Sequence, residues 1–403
     1  MAGEWVSVAA PAKVNPFLEV LERRADGFHE VELTLLALEL GDVVRARATR
    51  TGTIELRVEG PFASADIPLD ARNLAWSGAA AALAVAHERG ERAAGLELVV
   101  TKNVPSQAGL GGGSSDAAAA LRASERALGL EVGDERACAA LAKLGSDCVF
   151  FHAARRTGHA RATGRGEHIE PLAPAPRDLA ILVLTPDVGA PTAAVYRALA
   201  TPLRAGAPPR PLPPELRALA PRAPSPLAVP PETLHASTHD PRSIAASASS
   251  ALARPPDTPL PSTDDPRILA APASSPLAPA PDALHPSTHD PRSLAGPAPS
   301  PLAHPQHSLD ARAPESASRP LLAFNRLEPA ALEAVPALRP WRAFLDRVAP
   351  QTFVLSGSGS SFFALFPSPA AAAATLDALR SALPAASLHP RGLWLTRPAP
   401  PAP

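Results

Sequence analysis

Residues 102–117 read Lys-Asn-Val-Pro-Ser-Gln-Ala-Gly-Leu-Gly-Gly-Gly-Ser-Ser-Asp-Ala. Glycines at 109, 111, 112 and 113 let the backbone take positive φ and approach a ligand closely. Ser114 and Ser115 open an Ala-rich helical stretch, where unpaired N–H groups and the helix dipole favour an anion. Successive N–H groups in such a loop can wrap a polyphosphate, and the serine hydroxyls can reach phosphate oxygen or Mg2+. Pro105, Ser106, Gln107, Ala108, Gly109, Leu110, Gly111, Gly112, Gly113, Ser114 and Ser115 are therefore the candidate phosphate cradle. The order is neither Gly-Lys-Ser/Thr nor the dinucleotide fingerprint Gly-x-Gly-x-x-Gly with a later acidic residue.

The elements around the cradle read as alternating strands and helices. Residues 4–60 carry strand-like runs and turns, with Arg24-Ala25-Asp26-Gly27 as a turn signal. The run 31–40 is expected to end at Gly41-Asp42, and 43–59 to form a hairpin turning at Thr51-Gly52. An Ala-rich helix is predicted over 73–89, a short strand over 96–101, a loop over 102–115, then helices over 116–128 and 134–144. The apolar run 178–185 is strand-sized and too short to span a bilayer. After residue 320 the pattern gives a strand at 352–356, a loop at 357–361, a strand at 362–366 and a helix at 369–383. The Pro-rich tail 397–403 is expected to be loose.

Composition narrows the function classes. The 403 residues hold 38 Lys and Arg against 39 Asp and Glu, a net charge of −1. That balance offers no basic field for nucleic acid and no acidic tail for a basic partner. With no signal-type start and no spanning run, a cytoplasmic protein without membrane attachment is expected. Cys138 and Cys148 are not in a Cys-x-x-Cys pair and have no His cluster nearby, so buried reduced thiols and no metal-ligating cluster are expected. Lysine occurs only at 13, 102 and 143, a bias in which a surviving lysine hints at chemistry that arginine cannot replace.

From 205 to 319 the chain is mostly Pro, Ala, Ser, Leu, Arg and His. Pro-Ser-Thr-His-Asp-Pro-Arg or a close variant recurs there, with Asp240, Asp265 and Asp290 at equal spacing. Its prolines remove backbone donors, and its few bulky apolar residues cannot offset chain entropy. A disordered Pro/Ala/Ser-rich insertion is expected rather than a solenoid.

The cradle, Pro105-x-x-x-Gly109-Leu110-Gly111-Gly112-Gly113-Ser114-Ser115-Asp116-Ala117, resembles the second motif of the GHMP kinase superfamily (galactokinase, homoserine kinase, mevalonate kinase and relatives). It is most similar to the branch that phosphorylates 4-diphosphocytidyl-2-C-methyl-D-erythritol on the non-mevalonate route to isoprenoids. Pro11-Ala12-Lys13-Val14-Asn15-Pro16-Phe17-Leu18 resembles that branch's first motif, and Arg24-Ala25-Asp26-Gly27-Phe28-His29-Glu30 its substrate loop. Leu144-Gly145-Ser146-Asp147 resembles the segment with the catalytic aspartate, and 162–167 the turn that follows. Pro191-Thr192-Ala193-Ala194-Val195-Tyr196 and 355–360 match its later motifs. The resemblance covers about 1–200 and 320–395, outside the insertion.

That resemblance implies an α/β chain in two parts. A ribosomal-S5-like N-terminal domain would cover 1–170. A ferredoxin-like C-terminal domain would cover 171–204 and 320–397, with 205–319 inserted between. It implies an ATP- and Mg2+-dependent kinase for a small-molecule alcohol, working as a monomer or homodimer. Asp147 would accept the hydroxyl proton, and Lys13 beside it would offset charge on the transferring group. Asn15, His29 and Thr192 would hydrogen-bond the substrate, Phe28 and Tyr196 would sandwich the cytosine, and Asn73 and Lys102 would lie at the adenine end. Taken alone, Asp147 reads as a cap or turn residue, Lys13 as a surface lysine and the two rings as core. Another GHMP kinase acting on mevalonate, homoserine or a sugar, or a non-catalytic nucleotide-binding scaffold, remain the alternatives. Phe28 stands where the branch usually has Tyr, Cys148-Val149 replaces Val-Pro, Arg155-Arg156 lies near a Gly-Gly, and Asn325-Arg326-Leu327-Glu328 replaces Asn-Asp-Leu-Glu. These departures bear on substrate affinity rather than on reaction class.

Overall fold

The computed structural model describes residues 3–199 and 320–402, all within one compact unit. The repeat expected to be disordered at 205–319 lies outside the described residues. The strands are β1 (Val6–Val14), β2 (Phe17–Arg23), β3 (His29–Thr49), β4 (Ile54–Glu59), β5 (Gly95–Thr101), β6 (His159–Thr163), β7 (His168–Pro171), β8 (Ala180–Thr185), β9 (Phe324–Asn325), β10 (Val354–Leu355), β11 (Phe362–Phe366) and β12 (Gly392–Thr396). The helices are α1 (Leu74–Glu88), α2 (Gly112–Leu128), α3 (Asp134–Ala142), α4 (Ser146–Ala153), α5 (Thr192–Ala198), α6 (Glu328–Ala334), α7 (Arg339–Val348) and α8 (Pro369–Ala386).

Two sheets result. The larger runs β4-β5-β3-β2-β9, with β1 and β6 also on β3 and β7 on β6; the smaller is β10-β11-β8-β12, antiparallel throughout. The two-part α/β expectation is met. Ala75, Ala79 and Ala82 of α1 and Ala117, Ala118 and Leu121 of α2 are buried in the main core, so small residues let the two helices lie close. A second apolar cluster, including Val14, Phe17, Leu36, Leu110, Ile181 and Phe363, glues the large sheet and the cradle to β8 and β11.

Several sequence expectations change. The run at 31–40 does not stop at Gly41-Asp42; β3 continues as one 21-residue strand. The hairpin over 43–59 does not form, because β4 pairs in parallel with β5, which separates it from β3. Leu96, Leu98 and Val100 of β5 are almost wholly buried and claim the inner position, whereas β4 leaves Glu55, Arg57 and Glu59 exposed at the edge. Helix α2 begins at Gly112 instead of Asp116, taking Gly-Gly-Ser-Ser into its first turn. The tail is tied down: Glu39 N–H donates to Arg397 O at 2.8 Å and Ala399 N–H to Ala37 O at 2.9 Å. Both cysteines are free and buried, and Cys148 packs in the main core.

Candidate active site

The cradle is held from both sides. Lys13 N–H donates to Leu110 O at 2.9 Å, and Ser361 N–H donates to Ala108 O at 3.0 Å. The Ser356 hydroxyl donates to Gly109 O at 3.0 Å. Gly109 has φ +73°, and a Cβ there would lie 2.3 Å from Ser356 O and 2.7 Å from Gly359 O. Only glycine lets the two loops meet this closely. The first intrahelical bond of α2 runs from Ser115 N–H to Gly111 O, so the N–H groups just before it are free for an anion.

Behind the cradle lies a buried charge cluster that the sequence did not announce. Lys102 Nζ donates to Asp42 and, at 2.7 Å, to Asp116 Oδ2. Asp42 Oδ1 also accepts from the N–H groups of Asn103 at 2.5 Å and Val104 at 2.9 Å. Burial alone would lower the Lys102 pKa, but Asp116 and Asp42 more than offset it and the ammonium ends above its ordinary value. Burial, partly offset by Lys102, pushes the Asp116 carboxyl well above its usual range. Two buried carboxylates and one cation thus fix the strand-to-loop corner from which residues 103–113 depart.

Lys13, at the end of β1, and Asp147, in the first turn of α4, come together with Nζ and Oδ2 3.6 Å apart. The lysine is buried, while the Asp147 side chain keeps 38% of its surface exposed to the cleft. Asn15 Oδ1 accepts from Lys13 Nζ at 2.7 Å, and its amide donates to Thr34 O at 3.2 Å. The ammonium is therefore aimed, with a carboxylate on one side and the glycine cradle on the other.

One continuous cleft of about 770 Å³ borders Lys13, Asn15, Asn73, Lys102, residues 105–114, Asp147, Thr192 and Tyr196. Asn73 caps α1, its Oδ1 accepting from Ala75 N–H at 2.9 Å and its amide donating to Pro68 O at 2.8 Å. Three predicted residues do not line the cleft. The Ser115 hydroxyl is buried inside α2 without a partner. Phe28 lies under the Arg165 guanidinium, 4.8 Å from its ring centroid. His29 stacks behind Tyr196 with centroids 5.3 Å apart. Burial, reinforced by Arg23, lowers the His29 pKa, which favours a neutral imidazole. Burial and then the Asp147 carboxylate push the Tyr196 phenol up to about 12.

The second glycine-serine loop, 356–361, is positioned by residues given no site role from sequence. Asn325 Nδ2 donates to Leu355 O and Gly357 O, both at 2.7 Å, and Asn325 Oδ1 accepts from Leu327 N–H at 2.8 Å. Glu328 Oε2 accepts from Leu355 N–H at 2.9 Å. The Asn-x-Leu-Glu pattern was visible as a motif, but its job appears only in three dimensions. Ser358 of this loop shares a 2.9 Å hydrogen bond with Thr192. Arg326, one of the departures, pairs with buried Glu19 at 2.6 and 2.9 Å and ties β9 to β2.

Comparison with known proteins finds matches in both halves of the chain. The family model described as GHMP kinases N terminal domain matches residues 73–153, and GHMP kinases C terminal matches 306–385. The 4-diphosphocytidyl-2-C-methyl-D-erythritol kinase of Heliobacterium modesticaldum is 40% identical over 224 residues, 56% of this chain and 64% of the relative. The Bacillus subtilis enzyme of the same name is 39% identical over 193 residues, 47% and 62% of the two chains. The match thus spans about three-fifths of the length of these relatives. A crystal structure of 4-(cytidine 5'-diphospho)-2C-methyl-D-erythritol kinase shares the fold at TM-score 0.54 and 24% identity, over 98% of this chain and all of the other. Homoserine kinase from Cytophaga hutchinsonii does so at TM-score 0.52 and 15% identity, over 98% and 95%. The N-terminal and C-terminal models of one family thus match this chain in order, and it is similar to the GHMP kinases over those segments.

Proposed function

We propose that the chain transfers the γ-phosphate of ATP to the 2-hydroxyl of 4-diphosphocytidyl-2-C-methyl-D-erythritol, giving ADP and the 2-phosphate. The observation that carries this is the Lys13–Asp147 pair at 3.6 Å in the cleft that the glycine cradle also borders. ATP lies with its phosphates against residues 105–114, where backbone N–H groups and the α2 dipole meet its charge. The substrate hydroxyl sits at Asp147, which accepts its proton as the oxygen attacks phosphorus. Lys13, steered by Asn15, offsets the charge that spreads over the transferring oxygens. Thr192 and Tyr196 hold the substrate from the other wall, with His29 backing the Tyr196 ring.

Mg2+ fits the donor set near the phosphates. Asp116 Oδ1 is buried at the cleft edge without a hydrogen-bond partner, and Ser114 lines the same wall. These oxygens would hold the ion alongside phosphate oxygens, as Mg2+ prefers. The ion would neutralise charge between the bridging phosphates. Among the described residues no group of three or more His, Cys, Asp or Glu could hold a metal by itself.

A coupled assay for ADP with the cytidyl substrate tests the proposal. Wild type turns over, and Asp147→Asn loses about 100- to 10,000-fold in kcat. Absence of turnover in the wild type would remove the substrate assignment, and normal turnover in D147N would remove the base.

A further inference from the structure

We propose that Arg165 is the residue that grips the diphosphate of the cytidyl substrate; this rests on the substrate reading above. Among the described residues, the cationic side chains bordering the cleft are Lys13, Arg72, Lys102, Arg165 and Arg391. Four of them are engaged elsewhere. Lys13 faces Asp147 and Asn15, and Lys102 is locked between two carboxylates. Arg72 forms a two-pronged pair with Asp70, and Arg391 donates to Ser106 O at 3.1 Å, on the nucleotide side.

Arg165 differs. Its Nε reaches Glu167 Oε1 only at 3.4 Å, the guanidinium rests on the Phe28 ring, and its remaining charged neighbour is the exposed Asp26, which already pairs with Arg24. Glu167 Oε2 is already taken by the backbone N–H of Arg165 itself. A stacked guanidinium at a partly exposed site is held by only about 0.5–1 kcal/mol. The side chain is 25% exposed and borders the cleft.

Its backbone is fixed where the proposal needs it. The Ser146 hydroxyl donates to Arg165 O at 3.4 Å, so the turn carrying Arg165 backs onto the turn carrying Asp147. Arg165 therefore stands between Asp147, at the alcohol end, and Phe28, whose ring lies behind the cleft wall on the side the resemblance assigns to the base. In the substrate the diphosphate lies between just those two parts. A planar guanidinium matches two phosphate oxygens at once, which a lysine does not.

Arg165→Gln and Arg165→Lys test this in the full chain, with a non-hydrolysable ATP analogue saturating the nucleotide site. Calorimetry then measures CDP and cytidine. In R165Q, CDP binding weakens about 10- to 100-fold, as expected on losing charge-assisted hydrogen bonds. Cytidine and the ATP analogue bind as in wild type, and R165K recovers part of the CDP affinity. Unchanged CDP affinity in R165Q overturns the proposal while the substrate reading stands. Equal weakening of cytidine and CDP also overturns it, because Arg165 then acts only through Phe28. A wild-type protein that binds neither CDP nor cytidine overturns the substrate reading and this proposal with it.

Discussion

Replacing Gly109 by alanine separates the contact between the two glycine loops from the general strain of a left-handed residue. Gly109 and Gly129 have nearly the same backbone, φ +73° and +65°, but a Cβ at Gly129 would meet nothing within 4 Å. G129A therefore reports the conformational term alone, about 1 kcal/mol. In G109A the new methyl would lie 2.3 Å from one backbone oxygen and 2.7 Å from another. Neither can swing aside as a side chain would, so the loops must part by about 1 Å to reach ordinary contact. That retreat breaks the Ser361 N–H to Ala108 O and Ser356 Oγ to Gly109 O bonds, both 3.0 Å. At roughly 0.5–1.5 kcal/mol each, G109A is destabilised by about 2 kcal/mol more than G129A. The matched pair should differ in melting temperature by about 4–8 °C. Because a displacement of about 1 Å in positioned groups can cost about 100-fold, kcat/KM for ATP should fall in G109A and hold in G129A. Equal melting of the two variants, with ATP kinetics intact in G109A, would refute the loop contact and the cradle built on it.

Two further outcomes follow from buried charge. His152, whose Nε2 lies 2.9 Å from Asp134 Oδ1, has its pKa pushed down to about 4, first by burial and then by Arg155. An unfolded histidine titrates near 6.5, so the unfolded chain binds a proton that the folded chain refuses until about pH 4. The stability is complete above pH 6.5 and is lost as pH falls through 4, with about 2 kcal/mol gone between pH 7.5 and 5. Urea melts at both pH values should show this loss in wild type and a smaller one in His152→Gln; an equal loss in both would assign it elsewhere. Asp42→Asn leaves Lys102 with Asp116 alone and sets an amide against donors that a carboxylate satisfied. It should cost about 3 kcal/mol and raise KM for ATP more than KM for the cytidyl substrate. Unchanged urea midpoint and ATP kinetics would deny Asp42 its place behind the cradle.

What the sequence disclosed follows the range of each physical signal. The Ala-rich helix α1 and the glycines of the cradle are local, and each was legible; the Asn73 cap was equally local but went unread. Strand partners are not local. Alternation in β4 identified a strand, but nothing in it said that β5 would lie between it and β3. Asp42 looked like the end of a turn because its work is with Lys102 and the amides of 103 and 104, which the chain brings back only after forming α1 and β5. The tail 397–403 looked loose because its bonds go to β3 and to the α4 end, neither of which its prolines reveal. Lys13 and Asp147 were found by resemblance; no local pattern distinguished either from a surface residue.

The meeting of those two residues is a consequence of packing. Lys13 ends β1, whose backbone is pinned along β3 and by the Leu110 carbonyl. Asp147 opens α4, whose Cys148, Val149, Phe150 and Phe151 are buried in the same core as the alanines of α2. Helix α2 in turn starts from the cradle. The small core of Val14, Leu110, Ile181 and Phe363 then presses the second sheet, and with it residues 356–361, onto that start. A Cβ on Gly357 would lie 3.1 Å from Lys13 Nζ, so the second loop closes over the lysine itself. Phosphoryl transfer requires that the cation, the base and the phosphate amides be fixed before substrate arrives. In the proposed reading each of these is anchored by a different buried element, and all of those elements share the cores that hold the described unit together.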